Sequence, residues 1–522
     1  MITASETIEV RRVTKGVLAN ALGQGVNACN QIVLVPFFLA YWGKQLYGEW
    51  LTLSAFITYL AVIDFGMQMF VVNRLNQCYV RGDLREHTRV LHSALLMSLL
   101  ASLAALLIAV PVLLFAPIGR WFHFLVTDRW AASVVAIIMT IQVVGAVPHG
   151  LVGGIYRSVG EYPRGQMVIN GRNLVTLCLG VLAIVSGGGL VAVACAQLAA
   201  LVLASAYMWW DLGARHPELN LGLRRAELRL ALTFLGPSSL FFLIQLSMAM
   251  TVQGSTILVG AAIGAISVAI FVPLRTLSNL VRQVIGTLFS ALWPEFTALE
   301  ASRQYDALRR AHLFAAKVLV TISAAAAVFL HFSGETIVAF WTHKRIAYDS
   351  VLMDAFLLLL LSQAVWLASS LVLASSNNHK QMALISLAAA STGLGLGYVG
   401  LHRFGMAGLV YGIWVTEFSL TGTVVVTKAC NLIGQSVGRF VAEVLGRGAV
   451  MAGLLFGAIS LLAGMEIPGS RLVRVALLGG ASAVVAFALA YALYLSSVDR
   501  AKIRVWLGHF AGNQGLAAVA DA

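Results

Sequence analysis

The sequence predicts an all-α polytopic membrane protein with about 14 transmembrane helices. Of its 522 residues 59% are hydrophobic and only 11% are charged, and the mean hydropathy is +0.86, a balance that soluble domains do not show. Apolar runs of about 20 residues recur along the whole chain. Basic residues gather on alternate connections between those runs, as the positive-inside rule requires of a multi-pass protein.

The first run, from Gly16 to Trp42, is longer than the core of a secretory signal and leads directly into a second, so it is read as a retained helix. Spans are placed at 17–41, 47–72, 91–117, 131–152, 167–186, 190–210 and 233–258. A second series lies at 266–292, 311–333, 351–374, 382–401, 408–427, 449–465 and 473–495. The turns "SGGGL" and "VGAAIGA" are the shortest, and an undivided pair at either place would lower the count to twelve or thirteen.

With both termini cytoplasmic, 25 of the 35 Lys and Arg residues fall on inward segments, among them Arg11, Arg12, Lys15, Lys317, Lys502 and Arg504. Eight fall outside, including Lys344 and Arg345, and the remaining two, Arg275 and Arg282, lie within the eighth span. Most of the net charge of +13 therefore encodes topology and attraction to membrane lipids, and no nucleic-acid partner is indicated. Inward segments such as "NLGLRRAELRLAL" mix basic and apolar residues at helical spacing, and are read either as interfacial helices or as solvated connectors.

"WGKQLYGEW" at 42–50 resembles "IGAISVAIF" at 263–271 with an offset of 221, pairing Gly43 with Gly264 and Gly48 with Ala269. The offset aligns spans one and two with seven and eight. It predicts two six-helix lobes, 1–230 and 231–430, related by an axis along the membrane normal, with two additional helices and a cytoplasmic tail in 431–522.

No enzymatic motif is present: there is no phosphate-cradling glycine loop and no nucleophile with a base at motif spacing. Cys29, Cys78, Cys178, Cys195 and Cys430 occur singly, which indicates neither a zinc site nor a disulfide framework, and no metal or cofactor is expected. His149, His312 and His331 are isolated in sequence and read as interfacial or internally bonded residues.

Polar residues inside the spans supply the candidate site. In "AIFVPLRTLSNLVRQVIGTLF", Arg275, Ser278, Asn279, Arg282 and Gly286 share one helical face. Arg275 lies near mid-depth and Arg282 about 10 Å further inward. A central arginine costs about 2.5 to 3.5 kcal/mol even on the lenient insertion scale, so something must compensate it. Two readings stand: a water-filled cavity whose cargo carries a diphosphate, or a structural pair between Arg275 and Glu417 of the twelfth span. Glu417 could also carry protons for a coupled cycle. Asp64 is read as a salt bridge to the following basic loop, a hinge with Gly66, or an ion-coupling acid. Asn170, Arg172 and Asn173 suit a cytoplasmic vestibule or simple snorkelling. Gln24, Asn27, Asn30 and Gln31 of the first span suit sugar hydroxyls or helix-to-helix hydrogen bonds.

The stretch "LVPFFLAYWGKQLYGEWLTLSAFITYLAVIDFGM" resembles the opening of Wzx-type polysaccharide flippases, the O-antigen and exopolysaccharide branch of the multidrug/oligosaccharidyl-lipid/polysaccharide exporter superfamily. "LWPEFTALEASRQYDALRRA" is similar to the loop that follows helix eight in those proteins. The resemblance implies two lobes around a central cavity that opens alternately to either side. It implies as cargo an undecaprenyl-diphosphate-linked oligosaccharide, flipped across the bacterial inner membrane for surface polysaccharide assembly, and a polysaccharide polymerase as a partner. Arg275, Arg282, Asn279, Arg172, Asn173, Asn27 and Asn30 would then contact the cargo, and Glu417 and Asp64 would couple an ion. The alternatives are a cation-coupled multidrug extruder of the same fold, against which the first span's lack of an acid argues, and a non-transporting scaffold of a polysaccharide synthesis complex.

Overall fold

The structure, a computed structural model, describes residues 4–496 and 500 apart from 65, 377–378 and 466–468, with side chains from 18 onward except at 237, 290, 291 and 379. Phe65 of the Asp-Phe-Gly motif, the side chains of Arg11, Arg12 and Lys15, and the predicted tail with Lys502 and Arg504 lie outside the described residues.

The described secondary structure is helical throughout. Sixteen helices carry the argument: α1 (Ala4–Tyr41), α2 (Gly43–Thr58), α3 (Met67–Val80), α4 (Leu84–Phe115), α5 (Arg129–Ser158), α6 (Tyr162–Val185), α7 (Leu190–Arg215) and α8 (Leu235–Ala249). They continue as α9 (Ser255–Ala262), α10 (Ala265–Ala301), α11 (Tyr305–Trp341), α12 (Ser350–Ser375), α13 (His379–Thr416), α14 (Thr423–Leu432), α15 (Arg447–Gly464) and α16 (Arg471–Leu489). Among the described residues thirteen helical segments are long and apolar enough to cross a membrane. The longest, Lys380–Leu432, is bent at Gly405 (φ +64°, ψ −156°) and folds back on itself there, so that it covers both spans predicted at 382–401 and 408–427.

Two compact units form, one from 1–280, 338–352 and 383–413, the other from 281–337, 353–382 and 414 onward. In the first, a seam of small residues brings α2 against α9 and the start of α10. A Cβ on Gly48 would stand 1.8 Å from the Ala265 carbonyl oxygen, and one on Gly260 2.7 Å from Thr52. Such close backbone approach replaces the hydrophobic drive that is missing between helices in lipid. The two paired turn glycines both adopt positive φ, +73° at Gly43 and +116° at Gly264. The bend at Gly405 folds α13 back on itself with equal intimacy, since a Cβ on Gly400 would lie 2.3 Å from the Gly408 oxygen.

Glu49, one residue beyond the seam, is fully buried yet ionisable. Its carboxylate accepts from the backbone N–H groups of Leu125 (2.7 Å), Val126 (3.0 Å) and Thr127 (2.9 Å), and from Gln45 Nε2 at 2.7 Å. The Thr127 hydroxyl donates to it as well. Glu49→Ala strands three loop amides, and with charged hydrogen bonds worth about 1.5 to 3 kcal/mol each we expect a loss of about 3 kcal/mol. Thermal unfolding of the purified protein checks this, and an unchanged midpoint would contradict the role.

The loop between α7 and α8 is clasped to α4 by Arg89, whose Nε and Nη2 meet both oxygens of Glu227 at 2.7 and 2.6 Å. That guanidinium holds the Glu227 carboxyl below the usual carboxylate range. Leu223, Leu228 and Leu232 stand exposed beside Arg224, Arg225 and Arg229, but only Leu228–Thr233 of this stretch is α-helical.

In the second unit, Lys317, counted among the inward basic residues and inside the predicted span 311–333, is internal. It is 2% exposed and bonds Glu443 at 3.1 Å, because α11 continues through it into the packed interior. His312 is likewise internal, 2.9 Å from Gln435 Oε1 and 2.8 Å from Ser369 Oγ, with Phe440 stacked on its ring. His331 is hydrogen-bonded, as expected, with its Nδ1 2.7 Å from Asp354 Oδ1.

Candidate functional site

α10 is a 37-residue amphipathic helix that carries the arginine stripe from a packed to an open setting along its length. Ser278 is buried, Arg275 and Asn279 are half-buried, and Arg282 and Gly286 are exposed. From Ala265, Arg275 lies about 15 Å and Arg282 about 26 Å along the axis.

Arg275 is held by backbone. Between α8 and α9 the chain makes one π-helical turn, Met250–Gly254, which releases carbonyls from the α-helical ladder. The Arg275 Nη1 donates to the Val252 carbonyl at 2.7 Å and to Ser255 Oγ at 3.1 Å, and its guanidinium lies 5.5 Å from the Phe271 ring centroid. These contacts compensate the buried charge and fix its position. A carbonyl partner has no signature in sequence, which offers only a cargo diphosphate or the Glu417 carboxylate.

Arg282 and Glu417 lie within one unit and interact electrostatically. Among the described residues they do not approach to ion-pair distance, and no carboxylate lies within 4.0 Å of Arg282. Glu417 opens a second π turn, Glu417–Gly422, and its buried Oε2 accepts no hydrogen bond. The charged neighbour of Glu417 in its own unit is thus Arg282, whereas the sequence had suggested Arg275.

Asp64 makes no salt bridge among the described residues, contrary to one sequence expectation. It ends a six-residue 3-10 run, Tyr59–Asp64, and lies near Gln68 and Gln245, with Oδ1 buried and unbonded. The break that follows is made by Gly66 at φ +67°, where a Cβ would fall 2.4 Å from Phe241 Cβ. Gly66 therefore allows both the left-handed backbone and the close packing.

The amides of α1 and α6 join those helices. Asn30 Nδ2 donates to the Asn173 carbonyl at 3.0 Å, and Asn170 Nδ2 to the Ala19 carbonyl at 2.9 Å. Arg172 Nη2 reaches Asn173 Oδ1 at 3.2 Å and lines, with Arg164 and Tyr207, an otherwise apolar cleft of about 450 Å³ between α6 and α7. Asn27 is exposed on α1. No group of three or more His, Cys, Asp or Glu residues suited to a metal occurs among the described residues.

These helices have the fold of the MOP superfamily of transporters. The chain is similar to an inward-facing multidrug resistance MATE family transporter of that superfamily (TM-score 0.61, 18% identity, 80% of this chain and 98% of that one). It is also similar to the lipid II flippase MurJ in an inward closed conformation, with TM-score 0.70, 12% identity, 91% of this chain and 98% of that one. A third likeness is to a MOP superfamily transporter from Pyrococcus furiosus, with TM-score 0.54, 15% identity, 81% of this chain and 95% of that one. At these identities the likeness is one of fold. No family model matches the sequence, and no curated protein matches it.

Proposed function

We propose that the protein is a flippase that moves a diphosphate-linked lipid oligosaccharide across the bacterial inner membrane by alternating access of two six-helix lobes. The carrying observation is Arg282, an exposed residue on an amphipathic spanning helix with no carboxylate within 4.0 Å among the described residues. A charge so placed is costly unless it serves a ligand, and guanidinium matches phosphate oxygens in bidentate fashion. Arg275, engaged by Val252 and Ser255, supports the helix at this level, and Asn279 lies between the two. The fold shared with a lipid-linked flippase supports the reading.

The test is reconstitution in liposomes with a fluorescent undecaprenyl-diphosphate oligosaccharide and a membrane-impermeant quencher. Protein-dependent exposure of the label in the opposite leaflet supports the flippase. Transport of an organic cation without lipid movement would instead establish the drug extruder.

Glu417, unbonded at Oε2 and near Arg282, is proposed as the ion-coupling acid of this cycle, with Asp64 as a second. Glu417→Gln should leave cargo binding intact and remove the dependence of flipping on a proton gradient. An unaltered response to an imposed pH difference would overturn that role.

A further inference from the structure

The turn after α11 is a place where the chain departs from local preference twice over. His343 and Lys344 both adopt left-handed backbone, φ +51° and +60°, although neither is glycine. Such residues persist only where surrounding structure holds them, and they cluster at ligand sites. The turn closes α11, with the Lys344 N–H on the Ala339 carbonyl at 2.7 Å and the His343 N–H on the Phe340 carbonyl at 3.3 Å, and two donors tie it to α1: Trp341 Nε1 to the Ile32 carbonyl at 2.7 Å, and the Arg345 guanidinium to the Leu39 carbonyl. The second departure is charge. "HKR" places three basic groups in sequence on the side that the charge distribution assigns to the exterior, where basic residues are otherwise sparse.

The pinned turn borders an open cleft of about 310 Å³, lined by Pro36, Phe37, Ala40 and Tyr41 of α1 with His343 and Arg345. This lies at the lower end of small-molecule sites in size and has their makeup, apolar and aromatic walls with a few convergent polar groups. Tyr41 is 53% exposed and Phe37 half-buried, so ring faces remain for a flat, hydroxylated partner. Among the described residues no carboxylate neutralises His343, Lys344 or Arg345 by an ion pair.

We propose that this cleft is an outward binding site for an anionic saccharide, with Phe37 and Tyr41 against the sugar faces and His343 and Arg345 taking its acidic group. It rests on the reading of the chain as a carrier of oligosaccharide-lipid and adds to it the exterior station at which the glycan is held. Aromatic rings supply stacking area, and the guanidinium supplies a planar fork for a carboxylate.

The experiment is equilibrium binding to the full-length protein in nanodiscs of neutral phosphatidylcholine, with trigalacturonate, maltotriose and inorganic diphosphate as probes. Trigalacturonate should bind at least tenfold more tightly than maltotriose, and Tyr41→Ala and Arg345→Gln should each weaken it about tenfold. Tyr41→Ala keeps the test decisive if Arg345→Gln loosens the turn from Leu39. Equal affinity for the two saccharides overturns the proposal. Displacement of trigalacturonate by diphosphate overturns it in favour of a phosphate site. Loss of saccharide binding in phosphatidylglycerol nanodiscs overturns it in favour of a lipid head-group site. A protein that binds trigalacturonate but does not flip lipid leaves this site standing and removes the carrier reading, and one that flips lipid without binding removes the site alone.

Discussion

Gly48→Val yields no stably folded protein. The new side chain would begin 1.8 Å from the Ala265 carbonyl oxygen, with the Ala265 carbonyl carbon at 2.5 Å, so the obstacle is backbone and no rotamer relieves it. Separating α2 from the start of α10 would also open the Thr52 contact with Gly260. Overpacking a tight core typically costs about 1 to 3 kcal/mol, and backbone overlap belongs above that range, at more than about 4 kcal/mol. Detergent thermal unfolding and size-exclusion profiles of the variant are the measurement. Gly25→Val, where a Cβ meets nothing within 4 Å, is the matched control and should behave as the parent does. Normal unfolding of the Gly48 variant would mean that the seam is not closed as described.

Arg282→Gln should lower the rate of lipid-linked oligosaccharide flipping by about ten- to hundredfold, the loss of one or two charge-assisted hydrogen bonds to phosphate. The residue is exposed and unpaired with any carboxylate within 4.0 Å among the described residues, so the protein should remain folded. Arg282→Lys keeps the charge but loses the fork and should retain part of the activity. Arg275→Gln is expected to differ in kind. It breaks the bond to the Val252 carbonyl and should lower the unfolding midpoint as well as the rate, by about 1 to 3 kcal/mol in stability. Parental flipping by Arg282→Gln in the same liposomes would remove the phosphate assignment.

Hydropathy and charge made the spans legible because lipid demands long apolar helices whatever their partners. Even the bend at Gly405 lies in the predicted gap between 401 and 408. The paired glycines 43 and 264 were legible for a related reason, since a positive φ restricts the residue type. The partner of Arg275 was not legible. A π turn adds a residue without changing composition, and the carbonyl it frees belongs to Val252, an ordinary apolar residue. Glu49 was hidden for the same reason, as its partners are backbone amides of a loop some 76 residues away. The partner of Lys317 was not legible either, because its pairing with Glu443 depends on long-range packing that a charge count along the chain does not contain.

The Glu49 clasp has a consequence for following the protein at work. Because one carboxylate on α2 fixes three successive amides at 125–127, that loop has to travel with α2 as a single piece whenever the helix tilts. Leu125 is 81% exposed at its tip, so a spin label or fluorophore attached there would act as a pointer rigidly mounted on α2. Distances measured from it would report the helix angle, not the wandering of a free loop.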